Sequence, residues 1–366
     1  MAELLIKKKK IIRNIEKVST ILESNSIDWT LIVKILSGHK KILSEIIQNP
    51  IIKRLNSLGD SRLTGLRCIK EINPDIETMY IKPPAIKYIP SVVEYADISL
   101  NSSFETIEAL NQEARTRNKI HKIIIMIEMG ELREGVIREN ILEFYDKVFE
   151  FSNIKIIGLG TNLGCMYGVE PTYDKLIQLS LYKQLLEARF NRKLALISGG
   201  SSITLPLVMR KKIPIAINHF RVGEAVFLGT SPFNNKKFDG LSTDIFELNA
   251  NIIEVEKKEI TPSGSISEGY VGHTGSVNYP ENVNKSYRAI VDFGVLDVDV
   301  KNIKPQDKNI SFLGTTSDMT VFDLGLNRNK STSTDKYKVG DKLNFFPNYM
   351  AVARLMNSKY ITKRIL

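Results

Sequence analysis

Lys34 closes the run Leu31-Ile-Val-Lys34, a single charge at the end of an otherwise apolar segment. A lysine that ends a buried strand loses solvation, which favours the neutral amine, and a neutral amine is available for Schiff-base chemistry. Farther along, Gly199-Gly200-Ser201-Ser202 and Arg221-Val222-Gly223-Glu224 read as small or glycine-containing turns. Turns of this kind present backbone N–H groups and hydroxyls to a phosphate. A reactive amine combined with a phosphate cradle fits an aldehyde cofactor that carries a phosphate, and pyridoxal phosphate (PLP) is the obvious one. Arg133, beyond the run that ends in IEMGELREG, and the glycine-rich GLGTNLGC belong to the same set of unusual strand ends. Taken singly, each has a plainer reading: a lysine can snorkel at a rim, and a Gly-Ser turn is commonplace.

Other chemistries fail on spacing. The four histidines, at 39, 121, 219 and 273, are scattered, and no HxH, HxxxH or CxxC spacing occurs, so no zinc or other metal site is expected. A serine nucleophile lacks a GxSxG elbow. The carboxylate pair Glu128 and Glu131 reads as capping or solvated charge.

The elements that must position these residues follow from periodicity. Short apolar runs occur at Leu31–Lys34, Leu63–Cys68, Thr78–Lys82, Asp97–Asn101, Lys122–Glu128, Ile154–Gly160, Lys193–Ser198 and Ile213–Asn218. Between most of them lie amphipathic stretches such as SSFETIEALNQEARTRN, with Phe104, Ile107 and Leu110 at helical spacing. Strands alternating with helices in this number predict an α/β fold, a (β/α)8 TIM barrel; no GxGxxG follows the first strand to favour an open doubly wound sheet. Near Thr230 the composition turns to Gly, Asn, Ser and Thr, and the apolar runs shorten and alternate, which predicts a C-terminal all-β domain. The expected division is 1–235 for the barrel and 236–366 for the β domain. NRNKSTSTDKY, residues 327–337, reads as a polar loop.

Composition bounds the rest. With 366 residues, 43% hydrophobic and 25% charged, the chain has ample material for a packed core. Two cysteines in this length do not make a disulfide scaffold. No apolar run reaches the roughly 18–20 residues of a membrane span, and MAELLIKKKKII lacks the core of a secretory signal, so a cytoplasmic protein with no membrane partner is expected. The net charge of +10 is spread along the chain rather than concentrated, so no nucleic-acid partner is expected. The run Lys7 to Lys10 reads as a solvated helix start.

The motifs LIVKILSGH, GDSRLTGLRCI, ADISLNSSFETIEAL, IIIMIEMGELREGV, GLGTNLGCMYGVEPT, ISGGSSITLPLV, NHFRVGEAVFLG, FLGTTSDMTVFDL and YKVGDKLNFFPNYMAVARLMNSKYI, in this order, resemble the fold-type III PLP enzymes of the alanine racemase superfamily. Their nearest likeness is the ornithine racemase-like branch of amino-acid racemases. The resemblance implies a homodimer that interconverts L- and D-amino acids, on ornithine or another long side chain. It implies that Lys34 bonds the cofactor aldehyde and is one acid–base catalyst, and that Arg133 contacts the cofactor's phenolic oxygen and the substrate carboxylate. Arg221 would meet the pyridine nitrogen. Ser201, Ser202 and the backbone of Gly223 and Glu224 would hold the phosphate, with Ser358 adding a hydroxyl, and Asn162 beside Thr161 would pack near the ring. An arginine donates a hydrogen bond without yielding its proton, which leaves the ring a weaker electron sink and favours reprotonation at Cα over transamination.

The pattern departs from alanine racemases at two places. Gly294-Val295-Leu296-Asp297 stands where they carry a Gly-Tyr-Ala-Asp motif with the second base, and Val295 cannot move a proton. Cys165, His273 and Tyr349 are alternatives for that role. Gly38 stands where a cofactor-contacting tyrosine would follow the lysine, which implies a roomier site. A PLP lyase on the same scaffold and a non-catalytic PLP-binding protein are the competing readings.

Overall fold

The computed structural model describes residues 1–366 except 235, 267–271 and 329–333. The centre of the polar stretch 327–337 therefore lies outside the described residues. The chain divides into two compact units, Lys9–Thr243 and Met1–Lys8 together with Asp244–Leu366. The first eight residues join the second unit because strand β1 (Glu3–Ile6) pairs antiparallel with β10 (Phe246–Glu259) and parallel with β17 (Thr362–Ile365). The division expected at 235 thus falls at 243, and the N-terminal strand crosses over.

The larger unit begins within α1 (Lys8–Glu23), whose Ile11, Ile15, Val18 and Leu22 are buried at helical spacing while Lys9 at its start is exposed and Lys8 and Lys10 are half-buried. Eight parallel strands then close a barrel: β2 (Asp28–Ile32), β3 (Ser57–Asp60), β4 (Thr78–Tyr80), β5 (Ile98–Asn101), β6 (His121–Met126), β7 (Ile154–Gly160), β8 (Leu196–Ser201) and β9 (His219–Val222). Between them run α2 (Lys40–Ile47), α3 (Leu63–Ile72), α4 (Ile89–Tyr95), α5 (Phe104–Thr116), α6 (Ile141–Val148), α7 (Tyr173–Phe190) and α8 (Leu205–Met209), with α9 (Glu224–Leu228) closing the unit. Ser103 and Thr172 cap α5 and α7, accepting from the N–H groups of Thr106 and Lys175.

Two expected strands are corrected. Leu63–Cys68 is the start of α3, burying Gly65, Leu66, Cys68 and Ile69 on one face, and the strand is the preceding Ser57–Asp60. That strand reads as polar because Gly59 leaves room for neighbours: a Cβ there would lie 2.6 Å from Ile32 Cδ1. Ile213–Asn218 is a connection with Pro214 near its start and Ile215 fully exposed, and the strand is His219–Val222. A buried hydrogen-bonded set ties these short strands together. Thr30 Oγ1 lies 2.7 Å from Ser57 Oγ and 3.0 Å from His219 Nε2, and His219 Nδ1 lies 2.8 Å from Ser198 Oγ.

The smaller unit is a mostly antiparallel sheet of nine described strands: β1, β10, β11 (His273–Thr274), β12 (Lys285–Val291), β13 (Ile303–Pro305), β14 (Ser311–Thr315), β15 (Thr320–Gly325), β16 (Lys342–Pro347) and β17. The α-helix α10 (Tyr349–Asn357) also belongs to it. Its core holds Phe293, Phe322 and Phe345, with ring centroids 5.1 to 6.4 Å apart. Among the described residues no helix is long and apolar enough to cross a membrane.

Candidate functional site

In a (β/α)8 barrel the loops after the strands build the site. Lys34 stands two residues past β2, opening a single 3-10 turn (Lys34–Leu36). Its side chain is exposed, so the desolvation expected of a strand-end lysine is corrected: β2 stops at Ile32 and the lysine projects beyond the packed wall. The turn ends in Ser37 (φ 51°) and Gly38 (φ 69°), both left-handed, and Gly38 packs on Gly65 of α3.

Two carboxyl groups leave the strands on either side of β2. Asp60 ends β3, and its Oδ1 accepts from the Arg62 N–H at 2.8 Å at the start of α3. Its Oδ2 is enclosed without a hydrogen-bond partner, in space that Gly65 leaves open, and burial raises the carboxyl to about 6. Glu224 opens α9 after β9, is half-buried, and is raised by burial to about 7, with the Lys34 charge pulling the other way. The sequence reading gave Glu224 a role only through its backbone and gave Asp60 none.

Arg221, on β9, is buried and fixed on three sides. Nη1 donates to the Ser198 carbonyl at 2.9 Å and to the Ser198 hydroxyl, and Nη2 donates to the Thr161 carbonyl at 2.7 Å and to Asn162 Oδ1 at 2.8 Å. Burial lowers its guanidinium to about 10, still cationic at neutral pH. Among the described residues nothing accepts from its Nε. The Asn162 amide donates in turn to Glu134, which holds Arg133 through both carboxylate oxygens. Arg133 Nη1 donates to Cys165 Sγ at 2.6 Å. Burial raises the Glu134 carboxyl, but the hydrogen bond from Arg133 and the charges of Arg133 and Arg221 outweigh it and hold it below its ordinary value. Glu134 was missed from sequence because an Arg-Glu neighbour pair reads as solvated surface.

The segment 163–169 is held by Glu131, which is buried and accepts from the N–H groups of Cys165, Tyr167 and Val169 at 2.8 to 3.0 Å. Glu128 accepts from Gly130 and Leu132. The two carboxylates read as capping groups do cap.

The turns after β8 and β9 are tied to each other. Ser201 and Thr204 bond reciprocally, side chain to backbone, and Ser202 Oγ accepts from the Ala225 N–H at 3.1 Å. Gly223 sits close against β2, where a Cβ would stand 3.0 Å from the Ile32 carbonyl oxygen, a tight contact. Lys34, Arg133, Asn162, Ser201, Ser202, Arg221, Gly223 and Glu224 thus share the strand ends of one barrel.

The remaining expected residues lie in the other unit. Ser358 caps the end of α10 and donates to Asp297 Oδ1 at 2.7 Å. Tyr349 is half-buried at the start of that helix. His273 is exposed in β11 and lines a cavity of about 530 Å³ with Val295, Asp299, Lys301, Phe312 and Thr315.

Residues 6–231 match the family described as alanine racemase, N-terminal domain. The chain belongs to the alanine racemase family. Within it, the chain is 32% identical to the ornithine racemase of Acetoanaerobium sticklandii over 358 residues, covering 98% of this chain and 97% of that protein. It is 29% identical to the lysine racemase of Thermotoga maritima over 360 residues, covering 98% and 97%. The fold matches alanine racemase from Clostridium difficile 630, with a TM-score of 0.74 over 100% of this chain and 95% of that one at 14% identity. It also matches alanine racemase from Bartonella henselae with covalently bound pyridoxal phosphate, with a TM-score of 0.71 over 100% and 99% at 14% identity. The closed barrel and separate β domain are therefore the family's fold.

Proposed function

We propose that this PLP-dependent amino-acid racemase acts on a basic amino acid of the ornithine or lysine type, with Lys34 moving the proton on one face of Cα. The observation that carries the substrate class is the pair of full-length relatives named for ornithine and lysine. The strand-end residues fit the cofactor. Arg221 is held by Ser198, Thr161 and Asn162 with Nε left to donate, and the Ser201–Ser202 and Gly223–Glu224 turns are clamped together as a phosphate cup would need. When bound there, PLP supplies the electron sink that makes the Cα proton removable.

The chain's own groups do the rest. The Lys34 amine holds or gives up a proton at Nζ. Arg133, oriented by both oxygens of Glu134, presents Nη1 to a substrate carboxylate. Arg221 donates a hydrogen bond and keeps its proton, and the half-buried Asn162 contact fixes its direction. The hydroxyls of Ser201 and Ser202 and the backbone of Gly223 and Glu224 would hold the phosphate.

For the opposite face we take the Cys165 thiol over His273 and Tyr349. It lies in the loop after β7, three strands round the barrel from β2, and it touches Arg133. The enzyme works as a cytoplasmic homodimer, a stoichiometry that light scattering on the purified protein tests. Chiral chromatography of single L-amino acids incubated with the PLP-loaded enzyme tests the substrate class. D-ornithine or D-lysine is expected to form well ahead of D-alanine; equal or greater D-alanine formation would overturn the basic-substrate reading.

A further inference from the structure

Lys34 and Glu224 leave neighbouring strands at one seam. Leu31 of β2 pairs in register with Val222 of β9, so Lys34, three residues on, and Glu224, two residues on, emerge side by side. The two backbones close up there: a Cβ on Gly223 would stand 3.0 Å from the Ile32 carbonyl oxygen. Among the described residues, no hydrogen bond or ion pair holds the half-buried Glu224 carboxyl, and Lys34 is the charged group that faces it. Asp60, from β3 on the other side, faces Lys34 in turn, together with Arg62. Arg221, three residues back on β9, is turned to Ser198, Thr161 and Asn162.

A two-sided proton exchange leaves Lys34 with one proton too many in one direction, and the amine must shed it before the next turnover. We propose that Glu224 acts through Lys34 as the positioning residue for that proton, accepting it on its carboxylate and passing it to water. The Nζ–H bond breaks as a carboxyl O–H bond forms, and the O–H then breaks to solvent, restoring amine and carboxylate. Asp60 cannot serve in the same way. It is 1% exposed, with one oxygen committed to the Arg62 N–H and the other sealed from solvent. Glu224 keeps a solvent-facing side, and a group that titrates near neutrality exchanges protons readily in both directions. The inference rests on the role given to Lys34 above.

The test has two readouts, one on the cofactor-free protein, where the Lys34 amine is free, and one on the PLP-loaded enzyme. The first is a titration of the Glu224 carboxyl in the cofactor-free protein by NMR with 13C-labelled glutamate, the signal identified by its loss in Glu224→Gln. A midpoint of about 7 is expected, moving higher in Lys34→Met because the cation that favours the carboxylate is gone. A midpoint in the ordinary carboxylate range, or one unmoved by Lys34→Met, overturns the proposal. The second is kcat against pH. The wild type should rise through about 7, while Glu224→Gln should lose that rise and fall roughly tenfold at about pH 8, with KM changed less than about twofold. Glu224→Asp should restore the rise. A Glu224→Gln profile superimposed on wild type overturns the role of Glu224 alone, provided Lys34→Met is inactive. An active Lys34→Met enzyme would instead overturn the role of Lys34 on which the proposal stands.

Discussion

The Arg221 guanidinium donates through Nη2 to Asn162 Oδ1 at 2.8 Å, joining β9 to the loop after β7. Asn162 also donates to Glu134, so one amide links the two arginines of the site. Asn162→Ala removes the acceptor from a buried cation and the donor from Glu134, a cost of about 1–3 kcal/mol for a charged hydrogen bond. We expect PLP affinity, measured by equilibrium dialysis against the purified protein, to fall at least about tenfold. Unchanged affinity would show that Arg221 is oriented by Ser198 and Thr161 alone.

The Glu131 carboxylate fixes the position of Cys165 through the Cys165 backbone N–H at 3.0 Å rather than through the thiol. Burial raises the Glu131 carboxyl, but backbone N–H groups of residues 164, 165, 167 and 169 outweigh it and hold the carboxyl below its ordinary value. Glu131→Gln replaces two acceptor oxygens with one, leaving at least one loop N–H without a partner. Hydrogen exchange in residues 163–169 should speed up by roughly tenfold, the rate equivalent of about 1.4 kcal/mol. Racemisation should fall with it, while the global unfolding midpoint stays within a few degrees.

How much of this was legible in the sequence follows from what the barrel interior contains. Strands such as His121–Met126 and Ile154–Gly160 show their apolar runs and were found. Ser57–Asp60 and His219–Val222 were not, because the buried set of Thr30, Ser57, Ser198 and His219 satisfies its polarity by hydrogen bonds rather than by exposure. A pattern reader sees serine and histidine there and looks for the strand in the nearest apolar run. Lys34 could be picked out because a lone charge after an apolar strand is unusual, whereas Arg133 and Arg221 took their roles from the resemblance to the family's motifs. The side chains of Glu134 and Glu224 could not, since only the folded chain shows that their charges are half enclosed.

The two buried histidines of the barrel, His219 and His121, carry a pH signature. Burial pushes His219 down to about 3 and His121 to about 4, against an ordinary value of 6.5. The unfolded chain therefore binds protons below pH 6.5 that the folded chain refuses. Their contribution to stability is complete above that pH and drains away as pH falls, by about 2 kcal/mol per histidine at about pH 5. Asp60 and Glu224, raised to about 6 and about 7, act in the opposite sense: what they contribute is present at low pH and is lost as pH rises through those values. Urea unfolding of His219→Gln, whose amide can still bond Thr30 and Ser198, should show a shallower loss between about pH 6.5 and 5 than the wild type. Parallel curves would mean that His219 is not neutral in the folded protein.

The account turns on Lys34. The direct measurement is deuterium incorporation at Cα of L-ornithine in D2O, run with PLP-loaded wild type and Lys34→Ala, with visible absorbance recorded on both proteins. The wild type should show an absorbance band that borohydride abolishes, and Cα deuterium accompanied by D-ornithine; Lys34→Ala should show neither. Deuterium exchange and inversion in Lys34→Ala at the wild-type rate would contradict the account at its centre.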